Sequence, residues 1–176
     1  ATFAPHAPDW ARIAATRSRG GTMKWKIAII GGIVAYVAMF VVGIGAGYFI
    51  HSPDAGVLAE TYRATAAFWR PELNAVPPDM MALMPMWIAN GLIGAVIVGG
   101  IYSIVRSSLT GAAWQRGLKY GVIVALFWIV NALGYWGIFN LPNQVWQWWF
   151  VEGALLNLAG GVVLGIVAQK LAPAGN

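Results

Sequence analysis

Four long apolar runs divide the chain, and most of its polar residues lie between them. The runs cover approximately Ile27 to Ile50, Pro85 to Val105, Tyr120 to Phe139 and Phe150 to Leu171. Each reaches the roughly 20 residues that a helix needs to cross about 30 Å of hydrocarbon. None alternates apolar and polar positions as a membrane strand does, and barrel strands are about half as long. Backbone groups in lipid must be satisfied within their own segment, so the expected fold is an all-α membrane protein with four transmembrane helices. Residues 27–171 then form a four-helix bundle. Residues 1–26 are a basic arm, 51–84 a sizeable connection and 172–176 a short tail.

The polar residues between the runs orient the bundle. Lys and Arg are retained on the cytoplasmic side of a membrane. Arg12, Arg17, Arg19, Lys24 and Lys26 precede the first run, Arg106, Arg116 and Lys119 separate the second from the third, and Lys170 closes the fourth. Nine of the eleven positive charges therefore fall on one face, and the other face holds Arg63 and Arg70 beside Asp54, Glu60, Glu72 and Asp79. Both termini are expected in the cytoplasm of a bacterial cell, with the protein multi-pass in the inner membrane. The first run is longer than the 7 to 15 residues of a signal-peptide core, so it reads as an uncleaved anchor. Met23 is a second candidate start, with the preceding residues an extension.

The segments outside the runs have their own patterns. In the arm, Trp10, Ile13 and Ala14 share one face of a short helix-compatible stretch, Asp9 to Arg17. Such an arm suits anionic headgroups or a partner, with Trp10, Arg12, Arg17 and Arg19 as contacts, or is a solvated tail. In the 51–84 connection, Ser52 and Pro53 read as a helix start. Leu58, Tyr62, Thr65 and Trp69 recur at helical spacing, Glu60 and Arg63 form an i,i+3 pair, and Pro71 is expected to end an amphipathic helix lying on the periplasmic interface. The connection Asn140 to Trp149 carries Trp146, Trp148 and Trp149, an aromatic belt suited to lipid or partner contact.

Composition narrows the function classes. The chain is 59% hydrophobic and 10% charged, where soluble domains carry roughly 25% charged residues. Its net charge of +5 follows from the sidedness above, and no basic stripe interleaved with stacking aromatics supports a nucleic-acid partner. There is no Cys, which removes disulfides, thiolate metal sites and a Cys nucleophile. His6 and His51 are the only histidines, and neither lies inside a run, so no mid-membrane His ligand for haem or chlorophyll is available. No phosphate-binding Gly loop, His-Glu-x-x-His or Gly-x-Ser-x-Gly occurs, so an enzyme is not expected.

Intramembrane polar groups are costly and so informative. Asn90, Asn131, Glu152 and Asn157 fall in the outer half of three different runs at overlapping depths, about 8 to 13 Å inward for the three Asn at 1.5 Å per residue. They read either as a polar site with Glu152 as its titrating member, or as interhelical glue with Glu152 neutralised by Arg63 or Arg70. Small residues recur at four-residue spacing: Gly43 and Gly47; Gly91, Ala95 and Gly99; Gly117, Gly121 and Ala125; Gly161 and Gly165. They permit close helix approach, within the bundle or against another protein.

Trp69-Arg70-Pro71, Met80-Met81, Met84-Pro85, Ile101-Tyr102-Ser103, Arg116 to Gly121 and Glu152-Gly153 together resemble a group of small uncharacterised four-helix bacterial inner-membrane proteins. The resemblance covers about residues 23 to 171; it implies the topology and brings no activity. The functional expectation is a non-catalytic accessory subunit of a larger inner-membrane complex, respiratory or photosynthetic. Its partners would be other integral membrane subunits and lipids. No cofactor ligand is expected, only peripheral contact with lipid, quinone, carotenoid or chlorophyll tails. The alternative is a small transporter or ligand-binding protein built on the four polar residues.

Overall fold

A computed structural model describes residues 22–173; the expectations for Trp10, Arg12, Arg17 and Arg19 lie outside the described residues. Within that range all regular structure is helical. A π-helical turn, Ile27–Gly31, runs directly into α1, Gly32–His51. Two short helices follow, α2, Ala59–Ala64, and α3, Pro71–Asn74. Three long ones complete the chain: α4, Met80–Val105; α5, Ala113–Trp136; and α6, Asn143–Leu171. Four segments are long and apolar enough to cross a membrane: Ile27–His51, Met80–Ser108, Ala113–Trp136 and Asn143–Leu171.

The last three helices begin five to seven residues before the apolar runs do, because their first turns are set by polar and capping chemistry that hydropathy does not register. Asp79 accepts the Ala82 N–H at 3.1 Å and opens α4 ahead of Pro85. Gln115 accepts the Ala112 N–H at 2.8 Å at the head of α5, next to Gly111, whose φ of +108° makes the left-handed turn there. Pro142 precedes α6, which places Trp146, Trp148 and Trp149 on the helix and not in the connection. At the other end of α5 the helix stops at Trp136, three residues short of Phe139.

The expected single helix over 52–69 is broken into pieces. Gly56 N–H bonds back to Ser52 O in a turn, α2 starts only at Ala59, and a 3-10 turn covers Ala66–Phe68. The Thr65 hydroxyl donates to Thr61 O at 2.7 Å, a local bond that competes with helix continuation. Pro71, expected as a stop, instead occupies the first position of α3, where its missing N–H is no loss. The Glu60–Arg63 pair is present at 2.5 Å.

Lipid gives helices no hydrophobic reason to associate, so close van der Waals contact must hold them. Glycines supply it along two antiparallel seams. Between α5 and α6, a Cβ on Gly121 would stand 2.5 Å from Asn157 O, and one on Gly161 would stand 2.5 Å from Gly117 O; Gly165 lies as closely on Ala113 O. Between the N-terminal span and α4, Gly32 lies against Ala95 O, and a Cβ on Gly99 would be 2.8 Å from Ala28 O. The N-terminal span also packs on α6, through Gly31 with Leu164 and Met39 with Gly160. The spatial order is thus α4, α1, α6, α5, and Tyr102 and Tyr120 bridge α4 to α5 with ring centroids 5.0 Å apart. Only 22% to 28% of each span's apolar window is buried within the chain, so most of the side-chain surface faces outward.

One end of the bundle carries the cations. Arg106 is 5% exposed and donates to Ala168 O at 2.9 Å and Ala172 O at 2.5 Å, placing its charge on the carbonyl end of α6. Arg116 donates to Gln169 Oε1 at 2.8 Å, and Lys119 to Thr110 O at 2.9 Å. Ser103 accepts the Lys24 N–H and donates to Gly100 O, which fixes the start of the first span on α4.

The seams make a direct prediction. Gly161→Ala forces α5 and α6 apart and should lower stability by about 1–3 kcal/mol, the usual result of overpacking. Gly134→Ala, where nothing lies within 4 Å, should leave it unchanged or raise it. Thermal unfolding of both variants in one detergent compares them; equal melting temperatures would remove the seams from the account.

Candidate functional site

The end of the bundle opposite the cations gathers the side chains with the most chemistry. α1 ends at His51 and α6 passes beside it, so His51 Nε2 stands 2.9 Å from Glu152 Oε2. α2 then lays Tyr62 over the histidine: Tyr62 Oη is 2.7 Å from His51 Nδ1, and the two rings stack with centroids 5.7 Å apart. Trp149, one turn before Glu152 on α6, donates its indole N–H to Tyr62 Oη at 3.4 Å. Trp69 closes the cluster edge-on to both Tyr62 and Trp149. The apolar base beneath it is Ile50, Leu58 and Val145.

Tyr62 Oη accepts from Trp149 and is also hydrogen-bonded to His51 Nδ1. On the other side of the ring, His51 Nε2 is hydrogen-bonded to Glu152 Oε2. Trp149, Tyr62, His51 and Glu152 thus form one hydrogen-bonded chain of side chains. Burial pushes the Tyr62 phenol up to about 12 from its ordinary 10, with the nearby Glu152 charge adding to the rise, so the hydroxyl stays protonated at neutral pH. Glu152 Oε1 has no hydrogen-bond partner among the described residues.

The four polar residues singled out from the sequence are not brought together. Asn90 lies about 15 Å along α4 from Met80, and Asn131 about 8 Å from the Trp136 end of α5. Both are exposed on the flanks of the bundle and make no hydrogen bond among the described residues. Asn157 donates to Gly153 O of its own helix at 2.7 Å and lines a central slot. Glu152 pairs with His51 and not with an arginine, because Arg63 is held by Glu60 and Arg70 by Glu72 at 3.1 Å. The Arg70 guanidinium accordingly holds the Glu72 carboxyl below its usual range.

Two recesses adjoin this arrangement. The central slot has a volume of about 240 Å³, with Gly32, Tyr36, Gly91, Gly121, Asn157 and Gly160 among its walls and no charged group. The second, about 280 Å³, opens between α5 and α6 near the Glu152 end and is walled by Trp128, Trp149, Glu152, Gly153 and Leu156. Trp128 rests directly on the Gly153 backbone, in space that any Cβ would fill.

Sequence patterning placed Tyr62 only on a helix face and singled out none of His51, Tyr62 and Trp128 as a site residue. His51 sits at the boundary of an apolar run, where a lone histidine suggests nothing until its neighbours are known. The available signal was coincidence of depth: His51 ends one span and Glu152 stands near the start of another. Among the described residues no group of three His, Cys, Asp or Glu side chains is placed to hold a metal ion. Comparison with protein-family models, curated proteins and solved structures found no match to this chain.

The raised Tyr62 value has a signed consequence. A group whose folded pKa lies above its unfolded value contributes stability in full below the unfolded value of 10, and loses it as pH rises toward about 12. The melting temperature should therefore fall across that interval, and Tyr62→Phe should flatten the fall. An unaltered slope in Tyr62→Phe, followed by tryptophan fluorescence in detergent, would contradict the buried phenol.

Proposed function

We propose that this chain is a non-catalytic accessory subunit of a larger inner-membrane complex, of the respiratory or photosynthetic kind, with both ends in the cytoplasm. The observation that supports it best is Asn90. A carboxamide about 15 Å inside an apolar helix, exposed on the flank and without an intrachain partner, faces hydrocarbon if the protein stands alone. An unsatisfied amide there costs several kcal/mol. A neighbouring membrane helix supplies the missing hydrogen bonds. Asn131, likewise exposed, lies on α5 close enough to a helix end to reach headgroups.

The central slot supports the rest of the reading. Its walls are glycines, alanines and apolar side chains with Tyr36, Tyr120 and Asn157 as polar interruptions, and it suits the tail of a lipid, quinone or carotenoid held by contact alone. Sidedness rests on the cations, since Lys24, Lys26, Arg106, Arg116, Lys119 and Lys170 share the end remote from His51. The rival, a transporter using Asn90, Asn131, Glu152 and Asn157, needs those groups to share one cavity. Asn157 lines the slot, Glu152 the other recess, and Asn90 and Asn131 line neither.

Affinity purification from the native membrane in mild detergent tests the proposal. The chain should co-elute with other membrane subunits, and Asn90→Leu should weaken retention about threefold, as expected for one interhelical hydrogen bond of about 0.6 kcal/mol. A chain that elutes alone, as monomer or homo-oligomer, would overturn it.

A further inference from the structure

We propose that the recess between Trp128 and Trp149 binds an organic ammonium group, with Glu152 as its counter-ion. Glu152 presents one carboxyl oxygen, Oε1, that no described residue hydrogen-bonds. Among the described residues His51 is the one side chain hydrogen-bonded to Glu152, and it engages Oε2 alone, at 2.9 Å. Neither Arg63 nor Arg70 reaches it, because each is engaged by its own glutamate. No Lys or Arg among the described residues forms an ion pair with Glu152. The side chain is 19% exposed and stands about 14 Å along α6 from Asn143, inside a span. A carboxylate in that position is costly without a cation.

The recess beside it has the walls a soft cation prefers. Glu152 contributes to the lining, and its Oε1 has no partner among the described residues. The indoles of Trp128 and Trp149 form the sides, and Leu156 the apolar floor. Indole faces attract ammonium groups through the ring quadrupole, and pairing them with one carboxylate selects alkylated ammonium over a small, strongly hydrated metal ion. Gly153 is what allows this geometry: a Cβ there would collide with the pyrrole edge of the Trp128 ring, one residue from Glu152. The volume of about 280 Å³ accommodates a choline or ethanolamine group with water to spare. The recess lies toward the end of the span and opens sideways, a position that both a lipid headgroup and a free amine can reach.

Two arms distinguish the sources. Calorimetric titration of the purified chain with choline chloride, against sodium chloride, reads the free amine. Native mass spectrometry with phosphatidylethanolamine, phosphatidylcholine and phosphatidylglycerol reads the headgroup. Saturable choline binding, or retention of the ammonium lipids over phosphatidylglycerol, is the expected result and assigns the source. Glu152→Gln keeps an acceptor for His51 and should weaken that binding on the order of tenfold, and Trp128→Leu should weaken it severalfold. Circular dichroism and gel-filtration profiles matching the parent chain confirm that the variants fold. If Glu152→Gln misfolds, Trp128→Leu, on the exposed side of the ring pair, carries the test. No choline binding together with equal retention of the three lipids overturns the proposal, as does undiminished binding in the folded variants.

Discussion

Backbone-to-backbone contact along the two glycine seams is the constraint on which the rest of the structure depends. In water, burial of apolar surface would drive these helices together; in lipid it does not, and close approach must supply the attraction. Gly117, Gly121, Gly161 and Gly165 mesh α5 with α6, and Gly32 and Gly99 mesh the first span with α4. Because the contacts are backbone on backbone, they set the register of the helices as well as their distance. That register brings His51 at the end of α1 level with Glu152 on α6, and Arg106 level with the last carbonyls of α6.

The two ends of the bundle use polar groups in opposite ways. At the Arg106 end, Arg106 meets the carbonyl terminus of α6, and Arg116 and Lys119 have defined acceptors nearby. At the His51 end, Glu152 is hydrogen-bonded to the imidazole through Oε2, and its Oε1 has no partner among the described residues. The first arrangement is closed and structural. The second is open toward a recess with aromatic walls, which is why the chemistry of the molecule concentrates there and not among the flank asparagines.

How much of this was legible in the sequence depends on the range of the interaction. The four spans were legible because each is a local property of some 20 residues. Their starts were not, since Asp79, Gln115 and Pro142 extend the helices through capping and dihedral preference while lowering hydropathy. The stripes at Gly117, Gly121, Gly161 and Gly165 were visible, but which stripe meets which depends on helix order. Depth along a helix was readable for Asn90, Asn131, Glu152 and Asn157, whereas azimuth was not, and azimuth separates the exposed pair from Asn157 and Glu152. The break between Ser52 and Trp69 turned on Thr65 and Thr61, whose local hydrogen bond a periodicity count does not see.

The central claim is that a bundle meshed by glycine seams spans a membrane with its cationic end and its His51 end on opposite sides. The chain contains no cysteine, so single cysteines can be introduced without background. Asp54→Cys and Asn140→Cys mark the His51 end, and Ser108→Cys and Thr110→Cys mark the cationic end. Labelling intact cells with a membrane-impermeant maleimide should modify the first pair at once and the second only after lysis. Labelling of the second pair in intact cells, or of all four alike, would contradict the account.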